Sequence, residues 1–258
     1  GNNKSVGELT MAIENGVGDI VVDNREELER LETIAMEHNM VASVSFRIKP
    51  GIDAHTHEFI RTGQIDSKFG LDLASGEAMD ALRRAQQLEH IAVKGLHCHI
   101  GSQILEKAPF VHAAEVMLQF FAEIRDVLGM TLETLNLGGG FGIHYTQQDD
   151  AIPYEEYMGD VSAMVHRKCQ ELGLQLPRIY IEPGRSIVGE AGITLYTVGS
   201  IKEIPGVRNY VAIDGGMFDN PRYALYQSSY TCLLANKAGQ PADYVATIAG
   251  KCCESGDL

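Results

Sequence analysis

Short apolar stretches alternate with longer amphipathic stretches along residues 18–184. The apolar stretches have the length and composition of buried β-strands, at residues 18–24, 41–48, 91–100, 132–137 and 178–184. The longer stretches carry apolar residues at helical spacing and predict helices at residues 25–40, 75–88, 109–128 and 154–172. In the first helix, Leu28, Leu31 and Ile34 form the apolar face, and Asp23 or Asn24 is positioned to cap the first turn.

This alternation of strands and helices predicts a parallel sheet built from βαβ units. At least five strand–helix repeats, spaced by roughly 40 residues, favour an α/β fold of the (β/α)8 TIM-barrel type. A doubly wound open sheet is the alternative that the same pattern allows. In both architectures the active site lies at the carboxyl ends of the strands, which is where the polar and glycine-rich motifs of this chain occur.

The alternation ends near residue 191. Residues 192–204, 209–216 and 243–250 have the composition of strands and no predicted helices between them. We therefore predict a TIM-barrel domain at residues 1–191, incomplete at its N-terminus, and a truncated β-rich domain at residues 192–258. The abrupt start, in what is predicted to be a strand-to-helix loop, leads us to expect a fragment of a longer protein.

Composition narrows the function classes. The 258-residue chain is 45% apolar, which is enough for a hydrophobic core. Acidic residues outnumber basic ones by 35 to 21, which argues against a nucleic-acid or anionic-membrane partner. No apolar run reaches the ~20 residues that span a bilayer. The five cysteines are odd in number and irregularly spaced, which suits reduced thiols in a cytoplasmic protein and predicts no metal site.

The segment LNLGGGFGI, residues 135–143, places three consecutive glycines after an apolar strand. A glycine-rich loop between a strand and a helix exposes backbone N–H groups that bind phosphate. We therefore predict that Gly138, Gly139 and Gly140 bind a phosphate group, with a tight turn as the alternative. The spacing differs from G-x-G-x-x-G, which disfavours a Rossmann-type dinucleotide site.

The segment HCHIGSQ, residues 97–103, ends the preceding strand. Alternation along a strand puts His97 and His99 on one side and Cys98 on the other. Two imidazoles with a carboxylate would suit a metal ion, and a single imidazole would suit stacking on an aromatic cofactor. Two hydrogen-bonded core histidines are the third interpretation, and the spacing alone favours this one and the metal site over stacking.

The segment EPGRS, residues 182–186, follows the last strand of the repeat. Glu182 and Arg185 are either an ion pair or two separate groups. In the second case Glu182 would face a protonated ring nitrogen and Arg185 would bind a carboxylate or phosphate.

Two later motifs carry further polar groups. In DNPRYALY, Arg222 and Tyr226 lie four residues apart, on one face of a helical turn, where they would suit a carboxylate, with an ordinary surface turn as the alternative. The segment CCESGD, residues 252–257, places thiols next to Glu254 and Asp257. By itself that segment is more typical of a small buried side chain followed by a loop.

Taken in order, these motifs resemble the diaminopimelate decarboxylase family, through GLHCHIGSQI, LNLGGGFG, EPGRSIVGEAG, DGGMFDNPRYALY and CCESGD. The opening GNNKSVGEL and the segment DSKFGLD at residues 66–72 resemble it too, so the resemblance covers essentially the whole chain. These are pyridoxal 5'-phosphate enzymes of the alanine-racemase-like fold type III, related to ornithine and arginine decarboxylases. The form C-E-S-G-D separates this family from those two branches.

The resemblance implies a barrel followed by a β domain and a homodimer whose active sites are shared between subunits. It also implies decarboxylation of meso-2,6-diaminopimelate to L-lysine and CO2, the last step of lysine biosynthesis. For the cofactor, it implies that His99 stacks on the pyridine ring with Ser102 nearby and that Glu182 keeps the ring nitrogen protonated. The implied phosphate-binding residues are Gly138, Gly139, Gly140, Gly184 and the backbone of Arg185.

The resemblance also implies roles toward the substrate. The substrate carboxylate would bind the side chains of Arg185, Arg222 and Tyr226. Cys253 would be the proton donor and Glu254 would meet the distal amino group, both of them in the active site of the partner subunit.

The chain departs from the family pattern at two points. The family's Schiff-base lysine lies in a stretch resembling Y-A-x-K-A-N, upstream of GNNKS, and Lys4 belongs to a different motif. A late tyrosine near the phosphate is expected beyond the C-terminal boundary. We therefore expect the printed chain to be inactive alone.

Three alternatives stay open on these residues. Another fold type III decarboxylase would act on ornithine, arginine or carboxynorspermidine. A non-catalytic relative would bind partners or pyridoxal phosphate alone. A metalloenzyme would use His97 and His99.

Overall fold

A computed structural model describes residues 1–52 and 67–257. The chain divides into two compact units. The first comprises Gly1–Ile143 and Ala151–Ile187, and the second comprises His144–Asp150 and Val188–Leu258. These units are groups of mutual contacts, so the two domains predicted above, with their boundary after residue 191, stay a prediction. The motif at residues 66–72 begins with a residue that lies outside the described ranges.

The first unit consists of parallel strands and the helices between them. Its strands are β1 (Ile20–Val22), β2 (Ala42–Lys49), β3 (Leu71–Asp72), β4 (Ile91–His97), β5 (Thr134–Asn136) and β6 (Arg178–Tyr180). Its helices are α1 (Val6–Glu14), α2 (Arg25–Glu37), α3 (Glu77–Ala85), α4 (Ala108–Leu128) and α5 (Tyr154–Leu172), and the short α6 (Gly184–Val188) follows.

These strands form one sheet in the order β1-β2-β4-β5-β6, with β3 paired to β2 off this path. All of the pairs are parallel, so the α/β class predicted from the alternation is confirmed. The order follows the chain without the reversal that marks a doubly wound sheet, which favours the barrel over the alternative. The helices cover the sheet with a continuous hydrophobic core.

Local sequence explains where several helices begin and end. Ser5 and Glu8 form a reciprocal capping box at α1. The side chain of Asn24 accepts a hydrogen bond from the N–H of Glu27 at 3.0 Å, which confirms the predicted cap of α2. Gly129 and Gly173 end α4 and α5 in the left-handed conformation. In the described ranges, no helix combines the length and apolar character needed to cross a bilayer.

Strands β1 and β5 are each shorter than predicted by a few residues, and β4 and β6 end early because their motif residues leave the ladder and bond to neighbouring loops. Strand β4 ends at His97 rather than at residue 100, and the N–H of Cys98 donates to the carbonyl of Asn136 at 2.8 Å. Strand β6 ends at Tyr180 rather than at residue 184, and the N–H of Glu182 donates to the carbonyl of Gly138 at 2.8 Å.

The second unit contains a small mixed sheet. Its elements are β7 (Val198–Ile204), β8 (Arg208–Ile213), the short α7 (Arg222–Tyr226) and β9 (Thr247–Ala249). Strand β8 pairs antiparallel with β7 and parallel with β9. The three strands predicted here were too long, since residues 192–197, 214–216, 243–246 and 250 lie outside β7, β8 and β9. The predicted absence of helices between the strands was also wrong. Helix α7 forms because Pro221 precedes it with φ −74°, the range that proline imposes.

Gly95 provides a stability test of this sheet. A Cβ at Gly95 would overlap the carbonyl oxygen and Oγ1 of Thr134, its partner on β5. We predict that Gly95→Ala lowers the free energy of unfolding by about 1–3 kcal/mol, because the added methyl group forces β4 and β5 apart. Urea denaturation followed by circular dichroism measures this. The control is Gly159→Ala on α5, where a Cβ meets nothing within 4 Å and about 0.5–1 kcal/mol should be gained. Equal stability of the two variants would contradict the close pairing.

Candidate active site

The carboxyl ends of neighbouring strands carry polar side chains at one level of the sheet. The strand register pairs Arg47 of β2 with His97 of β4, and His97 with Asn136 of β5. Asp23 follows the end of β1, and Glu182 follows the end of β6. The parallel register therefore gathers polar groups from five strands that are distant in sequence.

The three consecutive glycines are packed against the backbone of both adjacent strand-end loops. A Cβ at Gly138 would lie 2.5 Å from the carbonyl oxygen of Cys98, and Gly138 also has φ +69°. A Cβ at Gly139 would overlap the carbonyl oxygen of Glu182, and one at Gly140 that of Gly101. No side chain fits at these positions, because the loops following β4, β5 and β6 meet there backbone to backbone.

The backbone N–H groups of Gly138 and Gly139 already have partners within the site. The N–H of Gly138 donates to the side-chain oxygen of Asn136 at 2.9 Å, and that of Gly139 to Nδ1 of His99 at 3.2 Å. The N–H of Gly184 donates to the carbonyl of Glu182 at 2.9 Å. Phosphate binding by Gly138, Gly139, Gly140, Gly184 and the Arg185 backbone thus stays a prediction, and the close loop packing is what requires glycine.

Glu182 is held at the mouth of the site with its carboxylate half exposed. One carboxylate oxygen accepts a hydrogen bond from the side-chain amide of Asn136 at 2.9 Å. The Nε2 of His97 lies 3.4 Å and 3.5 Å from the two carboxylate oxygens. The interaction with His97 is the main reason that the pKa of Glu182 falls to about 2, against the opposing effect of burial. Glu182 is therefore an anion at neutral pH.

The side chain of Cys98 lies apart from those of His97 and His99, as the strand alternation predicted, although the regular strand ends at His97. Cys98 belongs to the hydrophobic core, and burial raises the pKa of its thiol to about 12. Burial, with Arg47 and His97 nearby, lowers the pKa of His99 to about 4. His99 is therefore neutral at pH 7, and an uncharged imidazole suits stacking on an aromatic ring.

His97 is a buried side chain with one unused nitrogen. Only 5% of the residue is exposed, and its Nδ1 has no hydrogen-bond partner among the described residues. Its other nitrogen faces Glu182. The metal interpretation needed both histidines with a carboxylate, but His99 accepts from Gly139 instead. Residues 1–52 and 67–257 contain no group of three metal-ligating side chains that could hold an ion.

Arg185 is fixed by side chains of the HCHIGSQ loop. Its guanidinium donates to the Ser102 hydroxyl at 2.8 Å and to the side-chain oxygen of Gln103 at 3.2 Å. Gln103 in turn donates to the carbonyl of Ile143 at 2.6 Å and accepts from its N–H at 3.2 Å. Ser102 and Arg185, both predicted as site residues, are thus brought together. The arrangement favours separate functions for Glu182 and Arg185 over an ion pair, since each has its own partners.

The remaining predicted residues lie in the second unit. Helix α7 places the guanidinium of Arg222 over the ring of Tyr226, 5.2 Å from its centroid. The Nε of Arg222 is buried and has no hydrogen-bond partner within the described chain. Cys253 and Glu254 are exposed on the loop that follows β9. The predicted roles of these four residues in substrate binding and proton donation stay predictions.

Three residues of the polar cluster were not predicted from the sequence. Asn136 bonds both to the glycine segment and to Glu182. Arg47 lies 3.7 Å from Asp23, which is 3% exposed. Asp23 and Asn136 stand at the ends of apolar strands, and Arg47 lies two residues before the end of β2, so nearness to a strand end was the available signal.

The cluster fits pyridoxal phosphate as a ligand. An ionised carboxylate suits a protonated ring nitrogen, a neutral imidazole suits the ring face, and the guanidinium of Arg185 suits an anion. The unused Nδ1 of His97 is a buried polar atom that still requires a partner.

Comparison with known proteins identifies the class. Residues 1–189 match the family model for the pyridoxal-binding domain of pyridoxal-dependent decarboxylases. The chain belongs to that family, and the predicted pyridoxal phosphate cofactor is confirmed.

Several similar proteins within that class are diaminopimelate decarboxylases. The enzyme of Bacillus subtilis (strain 168) is 52% identical over the whole chain, which covers 59% of that enzyme. The structure of the M. jannaschii enzyme with L-lysine has a TM-score of 0.86 at 36% identity, over 100% of this chain and 58% of that one. The Helicobacter pylori enzyme with L-lysine has a TM-score of 0.85 at 30% identity, over 99% and 60%.

These similarities confirm the resemblance and the predicted fold class, a TIM barrel followed by a β-rich domain. The chain spans about three fifths of the length of these relatives.

The link between His97 and Glu182 is directly testable. We predict that His97→Leu raises the pKa of Glu182 toward its ordinary value of 4.5, because the main group that lowers it is removed. Carbon-13 NMR of labelled glutamate carboxylates, titrated without cofactor, measures this. The control is His166→Leu on the exposed face of α5, which should leave the Glu182 titration unchanged. A carboxylate that titrates identically in both variants would contradict the link.

Proposed function

We propose that the protein is a pyridoxal-phosphate-dependent decarboxylase that converts meso-2,6-diaminopimelate to L-lysine and CO2. The observation that carries this proposal is the ionised carboxylate of Glu182, held by His97 and Asn136 beside the glycine segment. The choice of substrate is supported by the 52% identity to the Bacillus subtilis diaminopimelate decarboxylase. Since the chain spans three fifths of its relatives, the activity is proposed for the whole protein.

The chemistry requires an electron sink. When bound, pyridoxal phosphate supplies a ring that accepts the electron pair left as CO2 departs. Glu182 would hold a proton at the ring nitrogen, since an anion there favours the protonated form. His99 would lie against the ring as a neutral imidazole, with Ser102 nearby.

The anionic end of the cofactor would be bound by backbone groups. We assign this role to the segment Gly138–Gly140, to Gly184 and to the backbone of Arg185. The assignment is supported by the position of the glycine segment beside Glu182, whose N–H donates to the carbonyl of Gly138 at 2.8 Å, and by the lack of side chains on this segment.

The substrate, an amino acid with a charged group at each end, would meet cationic and acidic side chains. Arg185, Arg222 and Tyr226 would bind a carboxylate, and the stacking of Arg222 on Tyr226 supports a preformed clamp. Cys253 would donate the proton that replaces CO2, and Glu254 would bind the distal amino group. We assign both to the active site of the partner subunit in a cytoplasmic homodimer, with neither nucleic acid nor membrane as a partner.

The Schiff-base lysine of the family is expected in the stretch resembling Y-A-x-K-A-N, which the printed sequence lacks. We therefore infer that the printed chain alone is inactive. Assays of the full-length protein with meso-diaminopimelate, ornithine, arginine and carboxynorspermidine test the proposal through CO2 release. Turnover of meso-diaminopimelate alone is expected. Turnover only of another substrate would indicate the polyamine branch, and cofactor binding without turnover would indicate a non-catalytic relative.

Glu182→Gln tests the role of the carboxylate. The amide keeps the shape but loses the charge, so we predict that turnover falls by about 100-fold or more and that the cofactor's visible absorption changes. The control is Glu123→Gln, on the exposed face of α4, which should leave both unchanged. A Glu182→Gln protein with normal turnover and normal absorption would show that no anion is needed at the ring nitrogen.

Cys253→Ala tests the proton donor. We predict that turnover falls far more than the affinity for pyridoxal phosphate, because the thiol acts after the cofactor is bound. Cofactor titration and steady-state kinetics measure the two quantities separately. Cys232→Ala, at another exposed cysteine of the same unit, is the matched control. An equal loss of both quantities in Cys253→Ala would argue against the donor role.

A further inference from the structure

The loop that carries Cys253 and Glu254 is closed by a buried carboxylate. Asp257 is 5% exposed, whereas Cys253 and Glu254 are exposed. One oxygen of Asp257 accepts from the N–H of Met217 at 2.6 Å, and the other from the N–H of Cys252 at 2.9 Å. A single side chain therefore joins the start of the loop to a segment 40 residues earlier.

Backbone hydrogen bonds complete the closure. The carbonyl of Asp257 accepts from the N–H of Gly250 at 2.9 Å, and its N–H donates to the carbonyl of Glu254 at 3.1 Å. The N–H of Lys251 donates to the carbonyl of Gly215 at 3.0 Å. The exposed part of the loop is thus tied down on both sides of Cys253 and Glu254.

Two glycines make room for this carboxylate. A Cβ at Gly216 would lie 2.6 Å from an oxygen of Asp257, and a Cβ at Gly250 would overlap the carboxylate. The motifs DGGMF and ATIAG, far apart in sequence, therefore carry glycine for the same reason: Asp257 fills the space between them.

The charge of Asp257 is matched to its surroundings. Burial by itself would raise its pKa, but hydrogen bonds from the N–H groups of Cys252 and Met217 outweigh burial and leave the pKa lowered. A carboxylate that accepts several backbone N–H bonds is stable as an anion although it is buried. Asparagine at this position would turn a donor toward one of those N–H groups.

We propose that Asp257 is a positioning residue for the proton donor: its buried carboxylate fixes the loop at Met217 and Cys252 and thereby sets the position of the Cys253 thiol. The inference rests on the proposed function, since it takes Cys253 as the donor. Asp257 itself need not touch the substrate, and it acts through the placement of Cys253.

A double-mutant cycle tests this role in the full-length protein with bound cofactor. Asp257→Asn should lower kcat for decarboxylation by at least about tenfold, because the thiol of Cys253 is displaced, and any rise in KM reports the displacement of Glu254 on the same loop. In the Cys253→Ala background, Asp257→Asn should change kcat by less than about twofold, because the displaced group is already absent. The control is Asp243→Asn, an exposed aspartate of the same unit, expected to match the unchanged protein.

Two kinetic outcomes would overturn the proposal. One is a wild-type kcat for Asp257→Asn, and the other is the same loss of kcat with and without Cys253, which would mean that Asp257 acts on the fold alone. Thermal denaturation of each variant accompanies the kinetics.

A measurement on the unchanged protein applies even if Asp257→Asn does not fold. The N–H groups of Met217 and Cys252 should exchange with solvent deuterium at least about 100-fold more slowly than that of exposed Ser255, after correction for intrinsic rates. Exchange of all three at similar rates would overturn the proposal whatever the activity. If the N–H groups of Met217 and Cys252 exchange slowly but the protein decarboxylates no substrate, the loop is closed as described. The proposed function is then contradicted, and the catalytic role of the loop with it.

Discussion

The structure of the first unit depends on the close approach of three strand-end loops at Gly138, Gly139 and Gly140. Carbonyl oxygens of Cys98, Glu182 and Gly101 occupy the space where side chains of these glycines would lie. A single added methyl group at any of the three would push two strand ends apart. Because the same loops carry His99, Ser102 and Glu182, this backbone contact determines whether the polar groups of the site meet at all.

The electrostatics of the site follow from this packing. Closure of the loop after β6 onto the glycine segment brings Glu182 to His97 and Asn136, residues 85 and 46 positions earlier in the chain. Burial removes the charge from His99, whereas hydrogen bonding keeps the charge on the half-exposed Glu182. One fold thus provides a neutral ring and a permanent anion that are near each other in space although they are far apart in sequence, which is the combination that a pyridine cofactor requires. In the second unit, buried Asp257 organises an exposed loop in a comparable way.

Much of the fold could be predicted from the sequence, because helices and strands are specified by local patterns. The apolar spacing gave the bounds of α5 and the buried face of α2, and Asn24 identified the start of α2. The site motifs were located because polar residues follow apolar strands in this architecture. The partners within the site could not be predicted in the same way. The contacts of Glu182 with Asn136, and of Asp257 with Met217, depend on strand register and loop closure over many residues, which a single sequence does not encode locally. The glycines illustrate the limit, since their number indicated a close approach but not that the approaching group is protein backbone.

The most direct test of this account is a crystal structure of the full-length protein soaked with pyridoxal phosphate. The account predicts phosphate density at the Gly138–Gly140 segment, with the ring nitrogen facing the carboxylate of Glu182 and one ring face against His99. Cofactor density elsewhere, or a ring nitrogen turned away from Glu182, would contradict it.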